Sequence, residues 1–377
     1  MHIAFLTSEY PHELASRSAG IGASIKNITA GLVKHARVSI FIYGQDKEVV
    51  IRENGVTLHF IKHKKFKFFS WFFYRKHLQN YINSYIAKEH ITAIEVPDWT
   101  GISAFMNLKC PIVIKCHGSD TYFCALEKRK QKFKNYFLEK KALKSADYIL
   151  SVSKFTAETT KRLFNLSKRI ETIPNSLDST KFIPKPIAES NLTILYFGTL
   201  IRKKGVLEIP LYLNKVVEDY PDCQFVFAGS DVLDYETNTS TWGLMMNLMT
   251  NVVKENSTWL GSLPYSEMQD LINQASVILL PSYAEAMPMT WLEAMSMEKA
   301  LVTSNIGWAK EVMIDGETGY MVNPKNHNEF ANKIKALLGD EQLRQTLGTN
   351  ARKQILKKFD NKIVLSNYIS YYKKLTL

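Results

Sequence analysis

Short apolar runs alternate with helix-period patterns along this chain, lapse once, and then begin again. His2–Thr7 reads as a strand, Ser24–His35 as an amphipathic helix, and Val38–Tyr43 as a strand. Ala93–Val96 and Ile112–Cys116 are further strands, Lys128–Lys144 a basic helix, Tyr148–Val152 a strand and Thr156–Leu163 a helix. This βαβ rhythm predicts a parallel sheet covered on both faces. Over Ile173–Pro186 the period stops among three prolines and polar residues, the composition of a linker. The rhythm restarts with strand Leu192–Phe197, helix Val206–Glu218, strand Gln224–Ala228 and helix Ser266–Gln274. Strand Val277–Leu280, helix Met289–Met297, strand Leu301–Thr303 and helix Asn328–Leu338 follow. The expected fold is α/β, with two doubly wound Rossmann-like domains at 1–185 and 186–360. A last helix, about Lys362–Lys374, is rich in Tyr and Ile and needs a surface to pack on.

Composition agrees with two globular domains. At roughly 150 residues per domain, 377 residues make two. Apolar residues are 46% and charged residues 22%, which excludes disorder and coiled coil as overall classes. A net charge of +12 favours anionic partners without choosing among them. Cys110, Cys116, Cys124 and Cys223 form no CxxC pair and lack zinc spacing, so they read as reduced thiols of a cytosolic protein. The N-terminus has no basic region of a signal peptide. No stretch approaches the ~18 apolar residues that span a bilayer. Any meeting with a membrane is expected at its surface.

Two segments carry chemistry. In Pro281-Ser282-Tyr283-Ala284-Glu285-Ala286-Met287-Pro288-Met289-Thr290-Trp291-Leu292-Glu293, a buried strand gives way to a loop and then a helix. Backbone N–H groups at Ala286–Thr290 would form an anion site at the helix start. Glu285 and Glu293 flank it and could accept bonds from hydroxyls. The plainer alternative is a capping box, Thr290-x-x-Glu293. In Gly198-Thr199-Leu200-Ile201-Arg202-Lys203-Lys204-Gly205, a strand ends at a glycine and a basic loop follows. Glycine lets backbone approach a ligand, and Lys binds phosphate as a point charge. A solvated basic loop is the alternative. In a parallel sheet, both segments emerge at the carboxyl ends of strands.

Taken together, these residues resemble a retaining glycosyltransferase of the GT-B fold, family 4 (glycosyl transferases group 1). That family carries E-x7-E, here Glu285 and Glu293, and Gly-Arg-Leu-x-x-x-Lys-Gly, here Gly198-Thr199-Leu200 and Lys204-Gly205. Pro174-Asn175-Ser176-Leu177-Asp178, Phe227-Ala228-Gly229 and Asp315-Gly316-Glu317-Thr318-Gly319-Tyr320 also match. In the first half the matches are Ala19-Gly20-Ile21-Gly22, Glu95-Val96-Pro97-Asp98-Trp99 and His117-Gly118-Ser119-Asp120. The resemblance implies two domains facing a central cleft, with residues 361–377 crossing back to the first. It implies a nucleotide diphosphate sugar as donor, no cofactor, and a hydroxyl of a glycan or lipid-linked glycan as acceptor, in surface polysaccharide biosynthesis. Glu293 would bind the ribose, Glu285 the donor sugar, and Lys204 the diphosphate. His117 would lie beneath the donor sugar, and Gly20 and Gly22 would face the pyrophosphate. Gly198, Thr199, Arg202, Ala286, Met287, Met289 and Thr290 would complete the donor site.

Two departures from the family pattern matter. Thr199 stands where the family has Arg, leaving Arg202 or Lys203 to supply a second positive charge. Ala286-Met287-Pro288 is bulkier than the usual glycines. No D-x-D occurs, which agrees with a site that uses Lys and helix N-termini instead of a metal.

The run Ile61–Lys76 holds six Lys or Arg, seven aromatics and no acid. Lys128–Lys144 holds eight basic residues and one acid. Basic plus aromatic suits an anionic membrane surface, through Lys62–Lys76, and a peripheral place on the inner face of the membrane. Core packing and single-stranded nucleic acid are the alternatives, and nucleic acid is not the expected partner. A dinucleotide-dependent oxidoreductase is the rival enzyme reading. Its fingerprint is incomplete, because Gly20-Ile21-Gly22 stands about 13 residues after Thr7 and Ile25 replaces the third glycine. A non-catalytic nucleotide- or nucleic-acid-binding protein is the rival from another class.

Overall fold

The computed structural model describes residues 1–186 and 192–376. Residues 187–191, at the start of the second expected domain, and residue 377 lie outside the described residues. The chain divides into two compact units, 1–177 with 359–377, and 178–358.

In the first unit the elements run β1 (His2–Thr7), α1 (Gly20–Leu32), β2 (Arg37–Gln45), β3 (Val49–Glu53), β4 (Val56–Lys62) and α2 (Ser70–Glu89). Then come β5 (Ala93–Pro97), β6 (Ile112–Cys116), α3 (Asp120–Leu126), α4 (Phe133–Ser145), β7 (Tyr148–Ser151), α5 (Lys154–Phe164) and β8 (Ile170–Thr172). Their sheet has the order β3-β4-β2-β1-β5-β6-β7-β8, parallel except where β3 folds back on β4. Alternation along β1 builds two cores. Ala4 and Leu6 face Leu78, Ile82 and Ile86 of α2, while Ile3 and Phe5 face Ile25, Ile28 and Leu32 of α1. The terminal helix, Asn361–Thr376, joins the second core through Val364, Tyr368 and Tyr372.

The second unit runs β9 (Thr193–Phe197), α6 (Ile209–Val216), β10 (Gln224–Ala228), α7 (Thr241–Leu248), α8 (Asn251–Glu255), β11 (Ser257–Trp259) and α9 (Tyr265–Gln274). It continues with β12 (Val277–Leu280), α10 (Met289–Ser296), β13 (Ala300–Ser304), α11 (Ala309–Val312), β14 (Tyr320–Val322), α12 (His327–Gly339) and α13 (Glu341–Lys358). Its sheet is wholly parallel, in the order β11-β10-β9-β12-β13-β14. Residues 277–280 are buried throughout, as a strand covered on both faces must be.

The boundary falls after Leu177, earlier than the linker's end near 185. The Leu177 N–H donates to the Phe359 carbonyl and its own carbonyl accepts from the Asn361 N–H, both at 2.9 Å, so the outgoing and returning segments pair. The next residues pack on the second unit. The Phe182 carbonyl accepts from Ser296 Oγ at 3.1 Å and from Arg352 Nη1 at 2.7 Å. The expected basic helix at Lys128 begins only at Phe133. Lys62–Lys76 is three pieces: the end of β4, a loop, and the first two turns of α2.

Candidate functional site

In each sheet the strand order reverses at one place, and the loops following those strands open on a crevice suited to ligands. In the second unit the reversal lies between β9 and β12. The loops that follow them are 198–205 and 281–288, the two segments with chemical residues.

Their backbones lock together. Gly198, at φ 135°, donates to the Ala228 carbonyl at 2.8 Å. Gly229, at φ 147°, crosses it so closely that a Cβ would strike the Gly198 carbonyl. Tyr196 Oη donates to the Thr199 carbonyl at 2.9 Å. Residues Arg202–Lys204 make one 3₁₀ turn, ended by Gly205 at φ 70° against the Pro281 carbonyl. The Tyr283 N–H donates to the Lys203 carbonyl at 2.8 Å. These ties bring Lys204 Nζ to 2.5 Å from Glu285 Oε1, which also accepts from Ser282 Oγ at 3.3 Å.

Helix α10 starts at Met289, with Pro288 preceding it and no side chain capping it. The capping box is therefore not formed. Glu293 instead is buried, and its Oε1 accepts from Tyr265 Oη at 3.3 Å. Burial raises the Glu293 pKa to about 7, against the opposing pull of the Tyr265 bond and the Lys204 charge. Ala286 and Met287 are buried, while Met289 and Thr290 are partly exposed. Tyr265 carried no signal in the sequence that joined it to Glu293.

Arg202 is already engaged. Its Nε and Nη2 lie 2.7 and 2.9 Å from the two oxygens of Asp234, and Nη1 lies 3.1 Å from Glu236. The Arg202 bond holds the Asp234 carboxyl well below the usual range. Asp234 also accepts from the N–H groups of Glu236 and Thr237. Arg202 is thus a pin between the basic loop and the 231–240 loop, a role the sequence reading missed.

In the first unit the reversal lies between β1 and β5. Asp98 follows β5, and its Oδ1 accepts from the His117 N–H at 2.9 Å, just past β6. Its Oδ2 is buried without a partner among the described residues. Burial raises Asp98 to about 7. His117 is half-buried, and burial, then the Lys115 charge, hold its imidazole well below the usual range and so neutral. A Cβ at Gly22 would strike the backbone of Glu9 and Tyr10, whereas one at Gly20 would point into open space. Glu9 Oε1 accepts from the N–H groups of Ile21 and Gly22, at 2.8 and 3.1 Å. A carboxylate of the chain itself therefore sits on the Gly22 amide, in the loop expected to face pyrophosphate.

A cavity of about 760 Å³ lies elsewhere, lined by Asn273–Ser276, Met297–Ala300 and Arg344. Apart from Arg344 on α13, those residues lie just before or at the start of β12 and β13, at the amino ends of the strands, the edge opposite the loops above. The cysteines are free thiols. Among the described residues no helix is long and apolar enough to cross a membrane.

Comparison with known proteins places the chain. Residues 178–354 match the family Glycosyl transferases group 1, and residues 18–181 match Glycosyltransferase Family 4. The capsular polysaccharide biosynthesis glycosyltransferase CapM of Staphylococcus aureus is 26% identical over 211 residues, 55% of this chain and 53% of that protein. An uncharacterized glycosyltransferase of Methanocaldococcus jannaschii is 23% identical over 99% of this chain and 98% of its own length. The chain thus spans about half of the first relative and nearly all of the second. Among solved structures, sucrose-phosphate synthase from Thermosynechococcus elongatus superposes with a TM-score of 0.81 at 18% identity, covering 100% of this chain and 99% of that one. Anabaena HepE in complex with UDP and glucose gives 0.77 at 15% identity, covering 99% and 100%. The chain belongs to the glycosyltransferases of group 1 and family 4, enzymes of the GT-B fold.

Proposed function

We propose that this enzyme moves a sugar from a nucleoside diphosphate sugar to a hydroxyl of a glycan or lipid-linked glycan, with retention and without a required metal, in surface polysaccharide biosynthesis. The observation that carries the reading is the grouping of Lys204, Glu285 and Glu293 on the loop and helix that follow β9 and β12. The ammonium of Lys204 meets the diphosphate charge that grows as the bond to the sugar breaks. Glu285 accepts from hydroxyls of the sugar and Glu293 from those of the ribose. The acceptor oxygen bonds to the anomeric carbon as the diphosphate departs, and a phosphate oxygen takes the acceptor's proton. The neutral imidazole of His117 suits a hydrogen bond to a sugar hydroxyl. A polysaccharide product agrees with the capsular polysaccharide biosynthesis of the CapM relative, and a UDP donor with the ligand of the HepE structure. A lipid-linked acceptor would place the enzyme at the cytoplasmic membrane surface.

The test is turnover of a panel of nucleotide sugars against glycan and lipid-linked acceptors, with the anomeric configuration read by NMR. Retention, and activity unchanged by EDTA, support the mechanism. An inverted product or loss of activity with EDTA overturns it. Binding of nucleotide sugar without transfer to any acceptor overturns the catalytic reading.

A further inference from the structure

The two basic segments, some 60 residues apart in sequence, meet on one surface of the first unit. Phe105 joins them. It lies in the loop after β5 in a left-handed conformation, φ 64°. Its ring is 5.8 Å from Trp71 and from Phe72, at the start of α2, and 6.1 Å from Phe137 on α4. The row continues from Phe72 to Phe73 (5.6 Å) and Phe66 (5.9 Å) at one end, and from Phe137 to Phe133 (6.4 Å) at the other. A soluble core would draw such rings inward. Here Phe133 is 79% exposed, Phe68 76% and Phe69 70%.

Cations line this row. Lys64, Lys76 and Lys141 place their ammonium groups 5.6–5.8 Å from the rings of Phe66, Phe72 and Phe105. Lys62, Lys65, Lys67, Lys132 and Lys134 are exposed beside them. No Asp or Glu occurs within 54–88, 99–119 or 128–138, the stretches that build the surface.

We infer that this surface docks the enzyme on an anionic lipid bilayer, with the exposed phenylalanines entering the headgroup boundary and the lysines meeting lipid phosphates. Charge complementarity selects the occupant. A second copy of the chain would set lysines against lysines. Single-stranded nucleic acid uses ring faces as separate stacking platforms, whereas these rings mostly cover one another and carry no polar atom beyond the Trp71 indole. Phenylalanine tips ringed by lysine are the composition that an interfacial bilayer site requires. The inference rests on the membrane-surface placement of the function above but not on its donor chemistry.

The experiment is co-sedimentation of the full chain with phosphatidylcholine vesicles, with and without 30% phosphatidylglycerol. Wild type is compared with Lys62/Lys64/Lys65/Lys67→Gln and with Phe68→Ser/Phe133→Ser, after thermal melts confirm that each variant folds. Wild type should bind the anionic vesicles alone and release with salt. The lysine variant should bind on the order of 10³-fold more weakly, at about fivefold for each of the four charges. The phenylalanine variant should also lose binding, because charge alone does not hold it. Turnover on a soluble acceptor should persist in both, which separates failure of docking from failure of the transferase reading. Equal sedimentation of all three proteins, no sedimentation of wild type, or preferential binding of an oligonucleotide or of a second copy overturns the inference.

Discussion

Lys204 Nζ and Glu285 Oε1 stand 2.5 Å apart, so the cation assigned to the diphosphate and the carboxylate assigned to the sugar satisfy each other when neither is present. The pair can hold because Gly205 turns the chain back against Pro281, and no residue with a Cβ fits there. A bound diphosphate would draw Lys204 toward itself and free Glu285 to accept from a hydroxyl.

Lys204→Ala should therefore lower kcat on the order of 10²-fold, the scale of a lost charge-stabilising group. Its effect on nucleotide affinity should be smaller. Steady-state kinetics with the best donor, beside calorimetry with the free nucleotide, measure both. Wild-type turnover in the variant would remove Lys204 from the site.

Glu293 gives a pH signature. Its pKa stands at about 7 because it is buried, so below pH 7 the carboxyl is protonated and a poorer acceptor for ribose hydroxyls. Nucleotide affinity should rise between pH 6 and 8, by up to about tenfold per unit below the pKa. Glu293→Gln should bind about 1–3 kcal/mol more weakly at pH 8 and lose this pH dependence. Stability moves the other way. A carboxyl raised in the folded state costs stability as pH climbs from its unfolded value toward 7, so the unliganded wild type should lose stability against Glu293→Gln over that range. Calorimetric titrations and thermal melts across pH test both arms.

The Arg202–Asp234 pair predicts a separation of roles. Both Arg202→Ala and Asp234→Ala break the same two-pronged contact, so each should cost about 1–3 kcal/mol of stability. Their double mutant should cost little more than either alone. Asp234 is depressed in the folded state, so its contribution is present at neutral pH and is lost as pH falls through the acid range. Turnover should fall less than in Lys204→Ala. Denaturant melts and kinetics on the four proteins decide it. An Arg202→Ala enzyme as stable as wild type but as slow as Lys204→Ala would make Arg202 a phosphate ligand.

Strands were legible where burial on both faces leaves an unbroken apolar run. His2–Thr7, Ile112–Cys116, Gln224–Ala228 and Val277–Leu280 fall where the sequence puts them. The start of α2 was not, because its aromatics and basic residues follow neither period cleanly, and the hairpin of β3 and β4 was missed although Asn54-Gly55 between two apolar runs marks it. Helix α13 was also missed. Its buried positions include Leu347, Gly348, Ala351 and Ile355, a stripe diluted by polar residues. At the candidate site, Lys204, Glu285 and Glu293 could be singled out because each falls in a motif of the family that the chain resembles, and the structure groups them. Tyr265, Asp234 and Glu9 could not. Each reaches its partner across a fold, and nothing local in the sequence encodes that distance.

The terminal helix is held to the first unit by a buried polar knot. Glu95 on β5 accepts from Tyr372 Oη at 2.8 Å and from Tyr368 Oη at 3.3 Å, and Lys115 on β6 also donates to Tyr368 Oη. Tyr372→Phe should cost about 1–3 kcal/mol, because it leaves a buried carboxyl short of a donor. Glu95→Ala should cost more, since it strands the buried Lys115. Protection of the 361–376 amides from hydrogen exchange should fall with both. Unchanged exchange there would mean that Val364 and the aromatic packing alone hold the helix.

His117 and Asp98 allow a test that distinguishes chemistry from support. The His117 ring is neutral at physiological pH, so its own titration should not appear in the rate profile between pH 6 and 8. Asp98, at about 7, titrates in that window, and one of its oxygens holds the His117 backbone. Asp98→Asn keeps an oxygen acceptor for that N–H but cannot ionise. The variant should gain stability relative to wild type as pH rises from 5 to 8, because ionising a buried carboxyl costs the fold. If Asp98 positions His117, the variant's kcat should lose a step near pH 7 while KM for the donor changes little. His117→Ala should slow turnover at every pH, on the order of 10²-fold if the ring meets charge that develops on the sugar. A His117→Ala enzyme with wild-type turnover would leave the ring as packing at the end of β6. An unchanged pH–rate profile in Asp98→Asn would confine Asp98 to holding the loop.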